Sequence, residues 1–101
     1  MAKTITLTVN KQEYENRTTA ARLGHAYSVK NEAGDVFNSY GDISQFDAVD
    51  KALYNVLKRA AMHYYDVDVT IEGASLSDGL KTFLTDKYEA ESTQINSITF
   101  A

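Results

Sequence analysis

The chain has 101 residues, which is enough for one hydrophobic core and too few for two. Its 44% apolar and 24% charged residues are typical of a folded globular domain and argue against intrinsic disorder. Cysteine is absent, which excludes disulfides, thiolate zinc sites and cysteine nucleophiles. The net charge of −4 argues against nucleic-acid binding through an excess of lysine and arginine. We therefore expect residues 1–101 to form a single domain.

The N-terminal segment has the alternating pattern of a strand with one buried face. Ile5, Leu7 and Val9 lie on one side of this strand, and threonines lie on the other. The alternation excludes the continuous apolar run of a signal peptide, and no segment has the length and apolarity of a membrane span. We therefore expect a cytoplasmic protein without membrane contact. The polar segment Asn10–Thr19 is either a long loop, a frequent place for binding, or a hairpin that turns at its first two residues.

Two further strands are predicted before the first helix. Leu23–Lys30 has alternating apolar side chains, and Asp35–Tyr40 is the next candidate strand. Between them, Asn31–Gly34 has the residue types of a tight turn, since Gly34 tolerates a positive φ. The sequence therefore predicts that the second and third strands form a hairpin.

Helical spacing of apolar residues then begins after Ser44, which is a favourable N-cap residue. This spacing predicts a helix over 44–63. The segment Asp66–Glu72 returns to strict alternation, with three aliphatic residues on one side and acidic residues or threonine on the other. Gly73 ends this fourth strand.

A second, shorter helix is predicted after the fourth strand, with Ser75 or Ser77 as its N-cap. A last strand follows over Gln94–Phe100. The order of elements is therefore β-β-β-α-β-α-β. The apolar positions of the second helix are Leu76, Leu80, Phe83, Leu84 and Tyr88.

The first and fourth strands are apolar on one side only. Central parallel strands that are covered on both sides are apolar throughout, so only one side of this sheet is expected to carry helices. We therefore predict an α+β fold of two layers, with a mixed sheet and both helices on one face. The other face is left to solvent or to a partner.

This order of elements resembles the ribonuclease H-like fold, in which a three-stranded meander precedes the helices. Gln45–Leu53 resembles the helix opening of that family, and Val69–Gly73 resembles its fourth strand. The resemblance puts Gln45 and Glu72 where the family has a glutamate and an aspartate, with Asn10 as the nearest counterpart of a third carboxylate. The family's hydrolysis needs two metal ions held by several carboxylates. The resemblance therefore implies the fold without the activity.

A second resemblance covers about a third of the chain. His25–Leu57 is similar to the regulatory domain of isopropylmalate and citramalate synthases, because Phe46–Leu53 fits the helix opening of that domain. The turn Tyr40–Ser44 departs from the family's pattern, since it has one glycine and no proline. This resemblance implies a domain that binds a small ligand at a dimer interface.

The candidate site residues are acidic or aromatic. Alternating acidic residues usually form a solvated strand face, so we predict no metal site although carboxylates suit magnesium and calcium. Tyrosine is frequent at the centres of protein interfaces, although it also lies ordinarily at helix ends and core edges. His25 and His63 have no triad or ligand spacing, so no catalytic residue is predicted. The candidate binding residues are Asp66, Asp68, Glu72, Tyr14, Tyr64 and Tyr65.

From these patterns we predict a non-enzymatic binding module that acts through protein–protein contacts and needs no cofactor. Its acidic charge favours a basic protein partner. A small domain of this kind fits an accessory protein of a phage or bacterium, and self-association into a homodimer is left open. The alternatives are a metal-dependent ribonuclease H-like nuclease or nucleic-acid-binding domain, and a small-ligand regulatory domain.

Overall fold

A computed structural model describes residues 3–12, 26–38, 44–91 and 94–101. It confirms the predicted α+β class, with a four-stranded mixed sheet and two helices in this part of the chain. Neither helix is long and apolar enough to cross a membrane. The elements are β1 (Lys3–Gln12), β2 (Ala26–Lys30), α1 (Gln45–His63), β3 (Val67–Glu72), α2 (Asp78–Glu91) and β4 (Ile95–Phe100).

The strands lie in the order β2-β1-β3-β4. β1 runs antiparallel to β2 and parallel to β3, and β3 runs parallel to β4. β1 continues without a turn to Gln12, which pairs with Ala26 of β2. The hairpin turning at Asn10-Lys11 is therefore wrong. Residues 13–25, which hold the rest of the predicted loop and the start of the predicted second strand, lie outside the described ranges.

The third strand is predicted over Asp35–Tyr40, and its described part, 35–38, forms no ladder. Of its described part, Val36 forms one isolated bridge to Lys30 of β2. Two residues further, the side-chain amide of Asn38 takes the role of a neighbouring strand. It accepts a hydrogen bond from the Val29 amide at 2.9 Å and donates one to the Tyr27 carbonyl at 2.7 Å. The Phe37 amide still donates to the Val29 carbonyl at 2.8 Å, and beside it the Asn38 side chain supplies the other hydrogen bonds to β2.

Helix α1 begins and ends with specific capping groups. Ser44 Oγ accepts a hydrogen bond from the Asp47 amide at 3.0 Å, which confirms the predicted N-cap. At the other end, Tyr64 adopts the left-handed conformation with φ 57° and ψ 47°. The amides of Tyr64 and Tyr65 both point back to the carbonyl of Ala60, which closes the last turn.

Helix α2 has a side-chain N-cap at its start and hydrogen-bonded contacts with α1 near its end. Ser77 Oγ caps α2 by accepting from the Leu80 amide at 3.3 Å, so Ser77 is the N-cap of the two candidates. Near the end of α2, the Tyr88 hydroxyl donates to Asp50 Oδ1 of α1 at 2.6 Å. Lys87 Nζ forms a salt bridge to the same oxygen at 3.0 Å. These contacts fix the position of the second helix relative to the first.

A hydrophobic core of described residues lies between the helices and one face of the sheet. Leu7 of β1 and Val69 of β3 are buried in it together with Leu53 of α1 and Leu84 of α2. Strand side chains alternate, so the residues on either side of Leu7 and Val69 point to the opposite face. Both helices therefore cover the same face of the sheet, and the described part of the molecule has two layers.

Candidate functional site: the open sheet face

The face of the sheet opposite the helices, called here the open face, is almost entirely polar. Its members follow from alternation along each strand and from the pairing between strands. They are hydroxyl, amide and charged residues, and the described hydrophobic core contains none of them. The open-face residues are Thr4, Thr6, Thr8, Asn10, Ser28, Lys30, Asp68, Thr70, Glu72, Ser97 and Thr99.

These side chains form rows across the strands. Thr6, Thr70 and Thr99 lie side by side on β1, β3 and β4, so one row consists of three threonines. Neighbouring strands are about 4.8 Å apart, which brings adjacent hydroxyl groups within reach of one ligand or one water molecule. Each hydroxyl can donate and accept a hydrogen bond, so such a row can bind polar groups of either kind.

Two carboxylates flank the threonine row on β3. Asp68 is half-buried and accepts a hydrogen bond from Ser97 Oγ at 2.9 Å, which holds its carboxylate in place. Glu72 is exposed and lies opposite Thr8. The two acids are four residues apart on one strand, which corresponds to about 13 Å.

The charges of the open face are not balanced internally. In the described ranges the salt bridge is Lys87–Asp50, which belongs to the helix layer. Among the described residues, the basic residue of the open face is Lys30 on β2, which lies opposite Thr8 of β1. One whole strand therefore separates Lys30 from Glu72, and both acids of the open face lack an ion-pair partner among the described side chains.

The predicted binding residues that the structure describes do not all lie on the open face. Asp68 and Glu72 lie on the open face as predicted, whereas Asp66 precedes β3 and is exposed, and its carbonyl accepts from the Lys3 amide at 2.8 Å. Tyr64 and Tyr65 lie at the end of α1, and Tyr14 falls outside the described residues.

The two tyrosines at the end of α1 have different surroundings. Tyr65 stacks on His63 with ring centroids 6.4 Å apart, and Lys3 Nζ lies 4.4 Å from its ring centroid. This ring connects the end of α1 to the start of β1. Tyr64 is 91% exposed and is free to contact a partner. Of the two rings, Tyr64 is therefore the more accessible, whereas Tyr65 packs against side chains of its own molecule.

The positions singled out by the ribonuclease H resemblance lie near the ends of β1 and β3. The Gln45 side-chain oxygen accepts a hydrogen bond from the Ser75 amide, three residues beyond Glu72. Asn10 is exposed on β1, two residues beyond Thr8, the residue that pairs with Glu72. Among the residues with described positions, no group of three or more histidine or acidic side chains is close enough to hold a metal ion.

Sequence patterns alone missed the β4 part of the open face. The register between β3 and β4 shifts between Val67 and Asp68, so Ile95 and Ile98 are both buried although they are three residues apart. This irregularity conceals Ser97 and Thr99 from an argument based on strict alternation. Lys30 could have been assigned from its alternation with Val29, which is fully buried.

Comparison of the chain with protein-family models, with curated proteins and with solved structures found no match.

Proposed function

We propose that this protein is a non-enzymatic binding module that docks a basic protein on its open face. The observation that carries this proposal is the pair of carboxylates, Asp68 and Glu72, without ion-pair partners in the described structure, set in a face of hydroxyl groups. A lysine or arginine of a partner can therefore pair with these two carboxylates, which no described basic side chain of this molecule neutralises.

The arrangement suits a folded partner with a polar contact surface. Hydroxyl rows offer many hydrogen bonds, and non-obligate interfaces are about as polar as ordinary protein surface. Complementary charge accelerates association and rejects acidic competitors. The separation of about 13 Å between the carboxylates favours two basic side chains that lie four residues apart on a strand of the partner or in different turns of a helix.

The test compares two double variants that remove the same charge from different surfaces. Asp68→Asn/Glu72→Gln changes the open face, and Asp78→Asn/Asp86→Asn changes exposed positions on α2. Each is used as bait with extracts of the native host, at low and at high salt. We expect one basic protein to be retained by the parent and the α2 variant, lost with the open-face variant, and released by salt. Equal retention by both variants would contradict the proposal.

A defined probe locates the contact independently of any extract. Titration with a peptide rich in lysine and arginine should shift the amide resonances of Thr70 and Thr99 more than those of α2. Shifts confined to α2 would place the acidic binding surface elsewhere.

The ribonuclease H-like alternative has its own test, because the exposed carboxylate of Glu72 lies at the end of β3, beside β1. A manganese-dependent nuclease activity that Glu72→Ala abolishes would overturn the binding-module proposal. For the regulatory-domain alternative, stabilisation by an amino acid or keto acid in a thermal-shift screen would favour a small ligand.

A further inference from the structure

Strand β4 is the one described strand without a charged residue. β1 contains Lys3, β2 contains Lys30 and β3 contains Asp68, whereas Gln94–Ala101 carries no charge, no proline and no glycine. Short segments that combine high β-propensity with low charge pair readily with copies of themselves. β4 also lies at the end of the described sheet, where one side of the strand has no neighbour among the described strands.

The outward edge of β4 is occupied by a side chain of its own molecule. The Ala101 amide donates to Ile71 on β3 at 2.9 Å, so amides three residues away point in the opposite direction. The Ile98 amide therefore points away from β3, and it donates to Glu89 Oε1 of α2 at 3.2 Å. The Phe100 amide, two residues on, points the same way as that of Ile98.

The Glu32 carboxylate accepts a hydrogen bond from a strand-edge amide in the same way as Glu89. β2 pairs with β1 only from Thr8 onward, which leaves the Thr6 amide beyond the end of β2. The Glu32 carboxylate accepts a hydrogen bond from that amide. At two places where a strand has no described neighbour, a glutamate carboxylate therefore accepts the hydrogen bond of the outward-pointing backbone amide. Inward-pointing charges at strand edges are a known means of preventing edge-to-edge pairing.

We infer that β4 is a self-association surface for a second copy of this chain and that Glu89 keeps it closed. The partner is a second copy because two uncharged β4 strands pair antiparallel about a two-fold axis without like-charge repulsion. In that pairing the Ile98 amide donates to a carbonyl of the second copy, and the Glu89 carboxylate must leave. A Glu89 carboxylate left buried and unpaired beside the new ladder would oppose association. Removal of this carboxylate therefore favours the dimer.

The test is the oligomeric state of variants measured by sedimentation over a range of protein concentrations. Glu89→Ala and, independently, Glu89→Ser should dimerise reversibly with a dissociation constant about tenfold lower than that of the parent, the equivalent of one hydrogen bond. Asp86→Ala removes the same charge from the same helix without touching β4, and should sediment like the parent. Adding Thr99→Lys to Glu89→Ala should restore the monomer, because it places a charge on each paired strand.

Hydrogen exchange of the dimer identifies the surface. The Ile98 and Phe100 amides should exchange more slowly in the Glu89→Ala dimer than in the monomer. The inference is overturned if both Glu89 variants sediment like the parent, if Asp86→Ala associates equally, or if the protected amides lie outside β4. Because the readout is self-association, failure here is separate from failure of the open face to bind a basic protein.

Discussion

Replacing Tyr64 by glycine should make the protein more stable, although it removes a large side chain. Tyr64 has φ 57° at the end of α1, a conformation that costs an ordinary L-residue about 1–2 kcal/mol and glycine very little. Glycine gives back about 0.5 kcal/mol through the greater freedom of the unfolded chain. Relief of the left-handed conformation therefore contributes a net gain of about 1 kcal/mol.

The ring itself contributes little, because Tyr64 is 91% exposed. A tyrosine buries about 200 Å² when fully covered, so the covered remainder contributes about 0.5 kcal/mol. Tyr64→Ala removes the ring and keeps the unfavourable backbone, so it is the matched control. We expect Tyr64→Ala to lie about 0.5 kcal/mol below the parent and Tyr64→Gly about 0.5 kcal/mol above it.

The measurement is urea unfolding of the three proteins with a common m-value, supported by thermal melts. The difference of about 1 kcal/mol between the two variants corresponds to a separation of about 5 °C in Tm. The reasoning is refuted if Tyr64→Gly is no more stable than Tyr64→Ala. If Tyr64 contacts the partner, both variants should also bind it more weakly, so the glycine variant would combine higher stability with lower affinity.

Two other substitutions test the backbone and the helix layer. A Cβ on Gly73, whose φ is 80°, would lie 2.8 Å from a carbonyl oxygen of β1, so Gly73→Ala should lower the free energy of unfolding by about 2 kcal/mol or more. Gly79→Ala, where a Cβ meets no atom within 4 Å on α2, should raise it by about 0.5–1 kcal/mol; equal effects at the two glycines would contradict the contact. Tyr88→Phe removes the hydroxyl that bonds the α1 carboxylate from a side chain only 1% exposed, and should cost about 1–2 kcal/mol in chemical denaturation. Lys87→Met, at a salt bridge whose lysine is 34% exposed, should cost less than about 1 kcal/mol, and the reverse ranking would show that the salt bridge dominates.

Sequence patterns located the elements whose signals are local. Ser44 is an N-cap in the structure because its side chain reaches an amide only three residues away. The faces of β1 and β3 follow from strict alternation, as the complete burial of Leu7 and Ile71 confirms. These features depend on neighbours along the chain, and a single sequence contains that information.

Features that depend on distant neighbours were missed or wrong. Alternation around Asn38 indicates a strand, but the geometry that lets its amide pair with β2 depends on how the turn before it folds. The register shift at Val67 arises from pairing with β4 and has no signature in either strand alone. The contact between Glu89 and Ile98 joins a helix to a strand edge, and a helical glutamate reads from sequence only as a solvated residue. The open face was thus predictable in outline, but its β4 residues and the contact of Glu89 with the edge of β4 were not.

The pairing of Asn38 with β2 has an evolutionary consequence. A backbone ladder survives nearly every substitution, because each residue except proline carries the same donor and acceptor. The hydrogen bonds that Asn38 makes to β2 depend on the identity of one side chain. A single substitution there would release an amide and a carbonyl of β2 while leaving the core residues unchanged. Point mutation can therefore alter the outer edge of β2 more easily than the backbone ladders that join the other strands.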